Sequence, residues 1–327
     1  MLKTAVVILN YNTREYLRRF LPGLIASCDG LDAEVIVADN ASHDGSLDMM
    51  AEEFPSVRTI ALSENYGFTG GYNRALAQVQ AQYYVLINSD VEVPEHWLRV
   101  LQDWMDSHPE CGACGPKLIS FNERDTFEYA GAAGGLLDRY GYPFCRGRIM
   151  QKVEKDHGQY DTPADVLWCS GACLMVRADV WKALGGLDDR FFAHMEEIDL
   201  CWRIQLRGWK VTVVPESYVY HIGGGTLPNE SPFKLRLNFR NNLLTLENNL
   251  PATLNSRFRA RLRILTRMCL DGMSALVYLF TGRKSFYDAV VQAHREYRKL
   301  RRPGEILPER HKPAGLYKGW IVPKGLF

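Results

Sequence analysis

The chain has 327 residues, of which 24% are charged, and its formal net charge is +1. This length allows one large hydrophobic core or two modest ones. The charge is unevenly distributed: residues 251–327 carry 16 basic and 5 acidic side chains, a net charge of +11, which leaves −10 for the first 250 residues. A basic tail of this kind favours anionic surfaces such as lipid headgroups or nucleic acid.

No stretch reaches roughly 18 uncharged apolar residues, so no transmembrane helix is expected. The chain starts directly in a strand-like run, so no signal peptide is expected either. The eight cysteines lie mostly in apolar segments. Cys111 and Cys114 form a CxxC pair that Cys169 and Cys173 could complete as a zinc site, but buried free cysteine is the simpler interpretation. We therefore expect a reduced, cytoplasmic protein.

Strand-like and helical segments alternate at the start of the chain. The predicted strands are Thr4–Leu9, Ala33–Val37 and Val57–Leu62, and the predicted helices are Glu15–Ser27 and Leu47–Phe54. This alternation is typical of a parallel sheet covered by helices. Each strand ends in a polar turn, so Asn10, Asp39 and Asp90 should collect at one edge of the sheet. Asp39 and Asp44 are also ordinary residue types for turns and helix caps.

The apolar run within Tyr83–Val93 ends abruptly at Asn88-Ser89-Asp90, and a predicted helix over Glu95–Ser107 follows. A carboxylate at this position is a hard oxygen ligand at the carboxyl edge of the sheet, where open α/β sheets bind ligands. Our hypothesis is that Asp90 holds a divalent metal against a nucleotide diphosphate.

A glycine-rich segment, Asn65–Arg74, precedes a predicted helix over Ala75–Gln82. Glycines let a backbone approach a diphosphate, and a helix N-terminus supplies N–H groups and a positive dipole. The spacing is neither GxGxxG nor a P-loop. It therefore indicates neither a dinucleotide cofactor nor phosphoryl transfer from ATP.

The middle of the chain is less regular. A strand is predicted over Ala113–Ser120, with Pro116 at its start or on a sheet edge. Phe121–Asp165 shows no clear periodicity, so we predict a long, partly mobile region there that could cover the substrate. Strands are predicted again over Val166–Val176 and Val211–Val214.

Three carboxylates crowd the start of a predicted helix over Glu196–Arg207. In a helix Glu196, Asp199 and Arg203 share a face, while Glu197 points about 100° away. Asp199 and Arg203 could simply form an i,i+4 ion pair. Crowding of the two glutamates should raise their pKa values, which suits a general base.

His221 ends a strand-like run just before Gly223-Gly224-Gly225. A histidine in an apolar strand is often only a core residue. Its place at a strand end makes a metal ligand the second interpretation. Both interpretations stay open at this point.

Seven stretches in this order resemble family 2 glycosyltransferases with the GT-A fold, specifically the bacterial rhamnosyltransferase-like branch. The resemblance implies an α/β, Rossmann-like nucleotide-diphospho-sugar transferase domain over residues 1–230, with a mixed, mainly parallel sheet and helices on both faces. A helical, basic C-terminal region over residues 231–327 follows it. The matching stretches are Val6–Asn12, Val35–Ser46, Glu64–Leu76, Tyr84–Val93, Ser170–Trp181, Gly185–Trp209 and Val214–His221.

The resemblance implies a donor site. Asn10 and Asp39 fall where the family holds the nucleobase. Asn65, Gly71 and Asn73 fall in the loop near the sugar and the phosphates. Asn88, next to the metal position, is also placed on the donor side.

The resemblance also implies a metal and a base. Asp90 matches the last position of a DxD-like element, and His221 matches a histidine that can complete a Mg²⁺ or Mn²⁺ site. Asn88 stands where many relatives have a first Asp, which leaves the site one charge poorer. The usual Glu-Asp or Asp-Asp pair, whose second member is the base, is a Glu-Glu pair here. Three candidates for the base therefore remain: Glu197, Glu196 and Asp199.

One carboxylate that holds a metal and another that acts as base suit a single displacement with inversion. We expect transfer of a sugar, with dTDP-L-rhamnose as the candidate donor, to a glycan or lipid-linked saccharide in cell-surface polysaccharide synthesis. The alternatives are a non-catalytic sugar-nucleotide-binding or scaffolding subunit and a nucleotidyltransferase. The latter needs a basic phosphate-activating signature near the N-terminus, where only Arg14, Arg18 and Arg19 occur.

The basic C-terminal region allows two interpretations. Helices are predicted over Phe233–Leu250, ending before Pro251, and over Phe286–Leu300, and between them arginines alternate with apolar residues. This region could be a helical subdomain packed on the body, or a homodimer interface. It could also make peripheral membrane contact through residues 251–302 at the cytoplasmic face of the inner membrane. No nucleic-acid partner is expected.

Overall fold

The computed structural model describes residues 2–223 and 231–323. The strands, in chain order, are β1 (Leu2–Asn10), β2 (Ala33–Asp39), β3 (Arg58–Ala61), β4 (Ala81–Ile87), β5 (Val91–Glu92), β6 (Cys111–Ser120), β7 (Gly135–Leu137), β8 (Pro143–Cys145), β9 (Arg148–Ile149), β10 (Lys152–Val153), β11 (Ala164–Asp165), β12 (Cys173–Arg177) and β13 (Lys210–His221). The helices are α1 (Arg14–Ser27), α2 (Ser46–Glu53), α3 (Gly67–Leu76), α4 (Trp97–Ser107), α5 (Ala178–Ala183), α6 (Glu196–Leu206), α7 (Pro232–Leu254), α8 (Arg257–Phe280) and α9 (Lys284–Leu300).

The main sheet is mixed, as predicted. Its strand order is β11-β13-β6-β12-β4-β1-β2-β3, and β5 pairs with β13. The long N-terminal strands are parallel, with β1 between β2 and β4 and β3 beyond β2. β6 and β13 are also parallel, whereas β12 is antiparallel to both β4 and β6. The carboxyl ends of β1, β2 and β4 therefore meet at one edge.

Helices cover both faces of this sheet. Val6 and Val85 point to the side covered by α1, α2 and α4. Val7 and Leu86, one residue further along the same strands, point to the side covered by α3, α5 and α6. Because both faces are buried, the central strands read as continuous apolar runs rather than alternating ones.

The prediction of a partly mobile region over Phe121–Asp165 is wrong. Four short strands there form a second sheet in the order β10-β9-β8-β7. Phe127, Ala132 and Leu137 from this region are buried in the main core. The strands have only two or three residues each, too few for a hydrophobic period to show in the sequence.

Two boundaries around the glycine-rich segment also differ from the prediction. The helix occupies Gly67–Leu76 rather than Ala75–Gln82, so the glycines are themselves helical. A methyl group on Gly71 would lie 2.8 Å from the side chain of Leu9. Close packing of α3 on β1 therefore outweighs the poor helix propensity of glycine.

The middle strands also need correction. Pro116 lies within β6 between β12 and β13, neither at a strand start nor on an edge. The pairing of β6 with β13 shifts register between Val214 and Tyr218. Proline has no N–H to donate to a neighbouring strand, and an irregularity of this kind accommodates the missing hydrogen bond. Of the predicted strand Val166–Val176, only the part from Cys173 onward is a strand.

The C-terminal helices pack against one another, and α7 also packs against α6. Leu243, Leu244 and Leu250 of α7 belong to the same hydrophobic core as the sheet. The predicted end before Pro251 is wrong, because α7 continues for one more turn to Leu254. The predicted domain boundary at residue 230 lies outside the described residues. No helix in the described part of the chain is long and apolar enough to cross a membrane.

Candidate active site

The ends of β1 and β2 bring Asn10 and Asp39 together. The two residues are register partners, and Asn10 Nδ2 donates to Asp39 Oδ2 over 2.7 Å. The backbone N–H of Ser42 donates to Asp39 Oδ1 over 2.9 Å. Both side chains are buried. A carboxylate has about four lone-pair sites, so Asp39 keeps acceptor capacity beyond these two bonds.

The predicted phosphate-side residues shape the loop around α3. Asn65 Oδ1 accepts from Asn40 Nδ2 and from the N–H of Gly67, each over 2.9 Å. Asn73 Nδ2 donates to the carbonyl of Leu187 over 2.8 Å, which ties α3 to the segment before α6. These contacts are internal to the protein.

The first N–H groups of α3 are also used internally. Phe68 N and Thr69 N both donate to the carbonyl of Phe192, over 2.6 Å and 3.2 Å. The sequence suggested that these groups would meet a diphosphate. In the structure they hold the segment that leads into α6, so the loop has a supporting role.

The predicted metal ligands are adjacent. β5 pairs antiparallel with β13 so that His221 is opposite Val91, which brings His221 Nε2 to 3.2 Å from Asp90 Oδ1. Asn88 Nδ2 lies 3.5 Å from the same nitrogen. On the other side of the ring, Glu128 Oε1 lies 3.5 Å from Nδ1. The sequence pattern did not point to Glu128, which comes from the irregular middle region.

The two neighbouring carboxylates determine the pKa of His221. Burial by itself would lower the pKa of His221, but the carboxylates of Asp90 and Glu128 raise it to about 10. A carboxylate beside an imidazole is a ligand pair that Mg²⁺ or Mn²⁺ accepts. Within residues 2–223 and 231–323, however, no group of three or more His, Cys, Asp or Glu side chains is arranged to hold a metal ion. Asp90 and His221 are therefore the two ligands that the protein itself would offer such a cation at this edge.

Glu196 and Glu197 begin α6 and have no hydrogen-bond partner at Oε2. Glu196 is buried, and burial together with the charge of Glu197 raises its pKa well above the usual range. Glu197 remains partly accessible, and burial raises its pKa to about 7 against the opposing effect of nearby backbone N–H groups. The unpartnered Oε2 atom is itself buried, although the residue as a whole is partly exposed. A carboxyl group without a partner and with such a pKa suits a general base.

Asp199 is placed differently. It is fully buried, and Arg203 Nε donates to its Oδ2 over 2.7 Å. Asn248 Nδ2 and Asn249 Nδ2 donate to its Oδ1 over 2.8 Å and 2.9 Å. The i,i+4 ion pair considered from the sequence is present, and this carboxylate is fully engaged in holding α6 to α7.

The segment before the glutamates is strained. Phe192, His194 and Met195 all have left-handed backbones, with φ of 65°, 70° and 72°. Non-glycine residues rarely adopt this conformation, and clusters of them persist only where the surroundings enforce them.

Two α7 side chains enforce this conformation. Asn241 Nδ2 lies 2.9 Å, 2.7 Å and 2.7 Å from the carbonyl oxygens of Phe191, Ala193 and His194. Arg240 donates to the Phe191 carbonyl over 2.6 Å. The sequence interpretation missed both residues, although polar residues inside the apolar pattern of α7 were a usable signal.

The base and the metal pair are linked through the turn before β12. A methyl group on Gly171 would lie 3.6 Å from Glu197 Cβ. The next residue, Ala172, accepts a hydrogen bond from the N–H of Asn88 over 3.0 Å. The predicted donor, metal and base residues thus fall in one continuous region, with Asp199 behind it.

A separate cavity of about 470 Å³ lies on the far side of the segment before α6. Its lining includes Asp188, Arg190, Arg203 and Arg302. None of the predicted donor or metal residues lines it. The candidate site is therefore the sheet edge and not this cavity.

Comparison with known proteins agrees with this arrangement. The family model described as glycosyl transferase family 2 matches residues 5–185. The N-acetylglucosaminyl-diphospho-decaprenol L-rhamnosyltransferase of Mycobacterium tuberculosis (strain ATCC 25618 / H37Rv) is 28% identical over 234 residues, covering 66% of this chain and 75% of the relative. Rhamnosyltransferase WbbL of Escherichia coli (strain K12) is 25% identical over 225 residues, covering 66% and 82%.

A solved structure shares the fold. GalNAc-T7, crystallised with UDP, GalNAc and Mn²⁺, superimposes with a TM-score of 0.57 at 17% identity. The likeness covers 76% of this chain and 48% of the other, so the chain spans about half the length of that protein. The fold is that of GT-A glycosyltransferases, as the sequence resemblance implied.

The family match covers more than half of the chain and includes Asn10, Asp39 and Asp90, although it stops before Glu197 and His221. Family membership favours glycosyl transfer over the nucleotidyltransferase and the non-catalytic subunit. The chain belongs to glycosyl transferase family 2 and is a glycosyltransferase of the rhamnosyltransferase-like branch.

Proposed function

We propose that the chain transfers L-rhamnose from a nucleotide-diphosphate donor to a lipid-linked saccharide or glycan, with inversion, in cell-surface polysaccharide synthesis. The proposal rests on the unpartnered Glu197 carboxyl group, whose pKa burial raises to about 7, together with the Asp90–His221 pair at the edge of the sheet. The names of the two curated relatives support the sugar, and the name of the mycobacterial relative supports a lipid-diphosphate acceptor.

The transfer is a single displacement. Glu197 accepts the proton of the acceptor hydroxyl, whose oxygen forms a bond to the anomeric carbon on the face opposite the leaving group. The bond from that carbon to the donor oxygen breaks, and its electron pair stays on the diphosphate. Asp90 and His221 would hold a Mg²⁺ or Mn²⁺ ion, and such an ion would supply positive charge that stabilises this leaving group. The Mn²⁺ in the GalNAc-T7 structure supports this assignment.

The donor contacts follow from the same edge. Asn10 and Asp39 are proposed to hold the nucleobase through their remaining hydrogen-bonding capacity. Asn88 is proposed to face the diphosphate, while Asn65, Gly71 and Asn73 keep α3 and its loop in place around it.

We also propose that the reaction takes place at the cytoplasmic face of the membrane, with peripheral contact through residues 251–302. All eight cysteines are free, which supports a reducing compartment. A lipid-linked acceptor would be presented at such a surface.

The substitution Glu197→Gln tests the base. Turnover of dTDP-L-rhamnose should fall by roughly 10²- to 10⁴-fold, because the amide cannot take the proton. Wild-type kcat/KM should rise with pH through about 7, where Glu197 loses its proton, and this rise should be absent from the residual activity.

Donor binding provides the control. The Glu197→Gln variant should still show a thermal shift with dTDP-L-rhamnose and Mn²⁺, since a ligand stabilises the fold by mass action. The matched control Glu216→Gln changes an exposed glutamate and should leave turnover unchanged. Full activity of Glu197→Gln would remove Glu197 from the proposal, and the absence of any nucleotide-dependent shift in the wild type would sink the proposed donor class.

A further inference from the structure

One face of α8 carries a row of exposed apolar side chains. Phe258 and Phe280, near its two ends, are 77% and 83% exposed. Their separation corresponds to about 33 Å of helix at 1.5 Å per residue. Successive members are mostly three or four positions apart, so they share one side of the helix. The intervening members are Leu262, Leu265, Met273, Leu276 and Val277.

The rest of α8 is already satisfied by the protein. Ala260, Ile264 and Ala275 are buried against the neighbouring helices. Arg267 and Asp271 form a buried ion pair of 2.7 Å on the same inward side. The apolar row therefore faces away from the body, and exposed apolar patches of this extent usually mark an interaction surface.

The exposed charged residues within α8 and directly beyond its end are cationic, and the nearest exposed acidic residue along the chain is Asp288, four residues beyond Lys284. Arg259 and Arg261 are exposed beside its first half, and Arg283 and Lys284 are exposed just beyond its end. The only acidic residue in the α8 sequence is Asp271, which is fully buried. The outward surface of this helix is thus apolar in the middle and cationic at both ends.

This pattern distinguishes between two partners for the exposed face of α8, a second copy of the chain and a lipid surface. A second copy of the chain, packed through the same face in either direction, would bring cationic ends against cationic ends, which is unfavourable. An anionic lipid surface meets both features, because acyl chains take up the apolar side chains while phosphates attract the arginines.

We propose that α8 lies in the plane of an anionic lipid surface, with Phe258 and Phe280 inserted below the headgroups and the flanking arginines and lysine at phosphate level. The proposal rests on the proposed function for its purpose, since a lipid-linked acceptor would be held at the same surface. Lipid binding itself is measurable without turnover, so the two can fail separately.

The test is flotation of the full chain with vesicles of phosphatidylcholine, either alone or with about one third phosphatidylglycerol. The wild type should float with the anionic vesicles and bind the neutral ones much less, and added salt should weaken binding by screening. The double variant Phe258→Glu/Phe280→Glu should lose at least about tenfold in binding, since two charges replace the inserted rings.

A matched control adds the same charge elsewhere. Leu47 and Ile306 are exposed apolar residues on other parts of the surface, and Leu47→Glu/Ile306→Glu should bind anionic vesicles like the wild type. All four positions are exposed, so both double variants should keep the wild-type circular dichroism spectrum. Both should also keep the thermal shift with dTDP-L-rhamnose and Mn²⁺, which is the separate readout of the donor site.

Three results would overturn the proposal. In the first, the wild type binds neither kind of vesicle. In the second, the Phe258→Glu/Phe280→Glu variant binds anionic vesicles as well as the wild type. In the third, sedimentation shows that the wild type is a dimer and the variant a monomer, and neither protein binds vesicles. That result would assign the face to a second copy of the chain.

Discussion

At the scale of single residues, the environment separates two adjacent glutamates. Glu196 is buried beside the charge of Glu197, and burial together with that charge raises its pKa well above the usual range of a carboxyl group. Glu197 keeps contact with solvent and has a pKa of about 7. The two carboxyl groups oppose each other's ionisation, because each charge disfavours the other at such short range.

The raised pKa of Glu197 should also appear in stability. Unfolding returns the pKa from about 7 to its ordinary 4.5, so the unfolded state ionises first as the pH rises. The native state then loses stability between these two pH values, by a few kcal/mol at about 1.4 kcal/mol per pKa unit. Glu197→Gln should therefore be more stable than the wild type, and the difference in the free energy of unfolding should be larger at pH 8 than at pH 5. Urea denaturation at the two pH values measures this difference.

The exposed Glu216 gives the control for this linkage. Glu216→Gln should change the free energy of unfolding equally little at both pH values, because its side chain is solvated in both states. A Glu197→Gln variant whose stability gain is the same at pH 5 and pH 8 would show that the carboxyl titrates normally in the fold.

At the scale of elements, α7 determines the shape of the segment that carries the base. Asn241 holds three carbonyls of a segment with three left-handed non-glycine residues. Such strain of about 1–3 kcal/mol per residue persists only under external constraint. Asn241 is therefore a positioning residue: it touches no reacting atom but orients the start of α6.

Replacing Asn241 should remove the hydrogen bonds that tie the strained segment to α7. Asn241→Ala should lower the free energy of unfolding by about 1–3 kcal/mol, because buried carbonyls lose their donor. It should also lower kcat by about 10- to 100-fold with a smaller change in the donor KM, because the base is displaced by a fraction of an ångström. Steady-state kinetics and urea denaturation measure the two effects.

Asn242 offers a matched control on the same helix. It is also buried, but its side chain donates to the carbonyl of Gly141, away from the strained segment. Asn242→Ala should cost similar stability while kcat stays near that of the wild type. Equal losses of kcat in both variants would mean that Asn241 acts only through global stability.

At the scale of the whole molecule, the C-terminal helices and the sheet share one core. Leu243 and Leu244 lie in the same cluster as the sheet residues, and Asn248 and Asn249 hold Asp199 of α6. The predicted boundary at residue 230 lies outside the described residues, and the division into two domains stays a prediction. We expect that residues 231–327 are needed for folding of the part that precedes them.

Truncation tests this expectation. A chain ending at residue 230 should show no cooperative thermal transition by circular dichroism, since it exposes the apolar surface that α7 covers. A chain ending at residue 323 should melt like the full protein. Cooperative melting of the shorter chain, together with a nucleotide-dependent shift, would instead support two independent domains.

The glycosyltransferase class, the mixed sheet with its helices, and the residues at the carboxyl edge of the sheet could all be predicted from the sequence. Strand periodicity and residue order are local properties, so Asn10, Asp39 and Asp90 can be identified from their positions at the ends of apolar runs. Pairing of β5 with β13 then placed His221 beside Asp90, where the resemblance implied a metal ligand.

Other features depend on contacts between distant segments and could not be read from local patterns. The sequence favours Glu197 as the base and leaves Glu196 and Asp199 as alternatives, whereas in the structure hydrogen bonds engage Asp199 and leave Glu197 Oε2 without a partner. Likewise, the two- and three-residue strands after Phe121, the position of Glu128 and the contacts of Asn241 arise only when the chain is folded. Side-chain partners and desolvation are three-dimensional quantities, and they decide which of several similar residues can do chemistry.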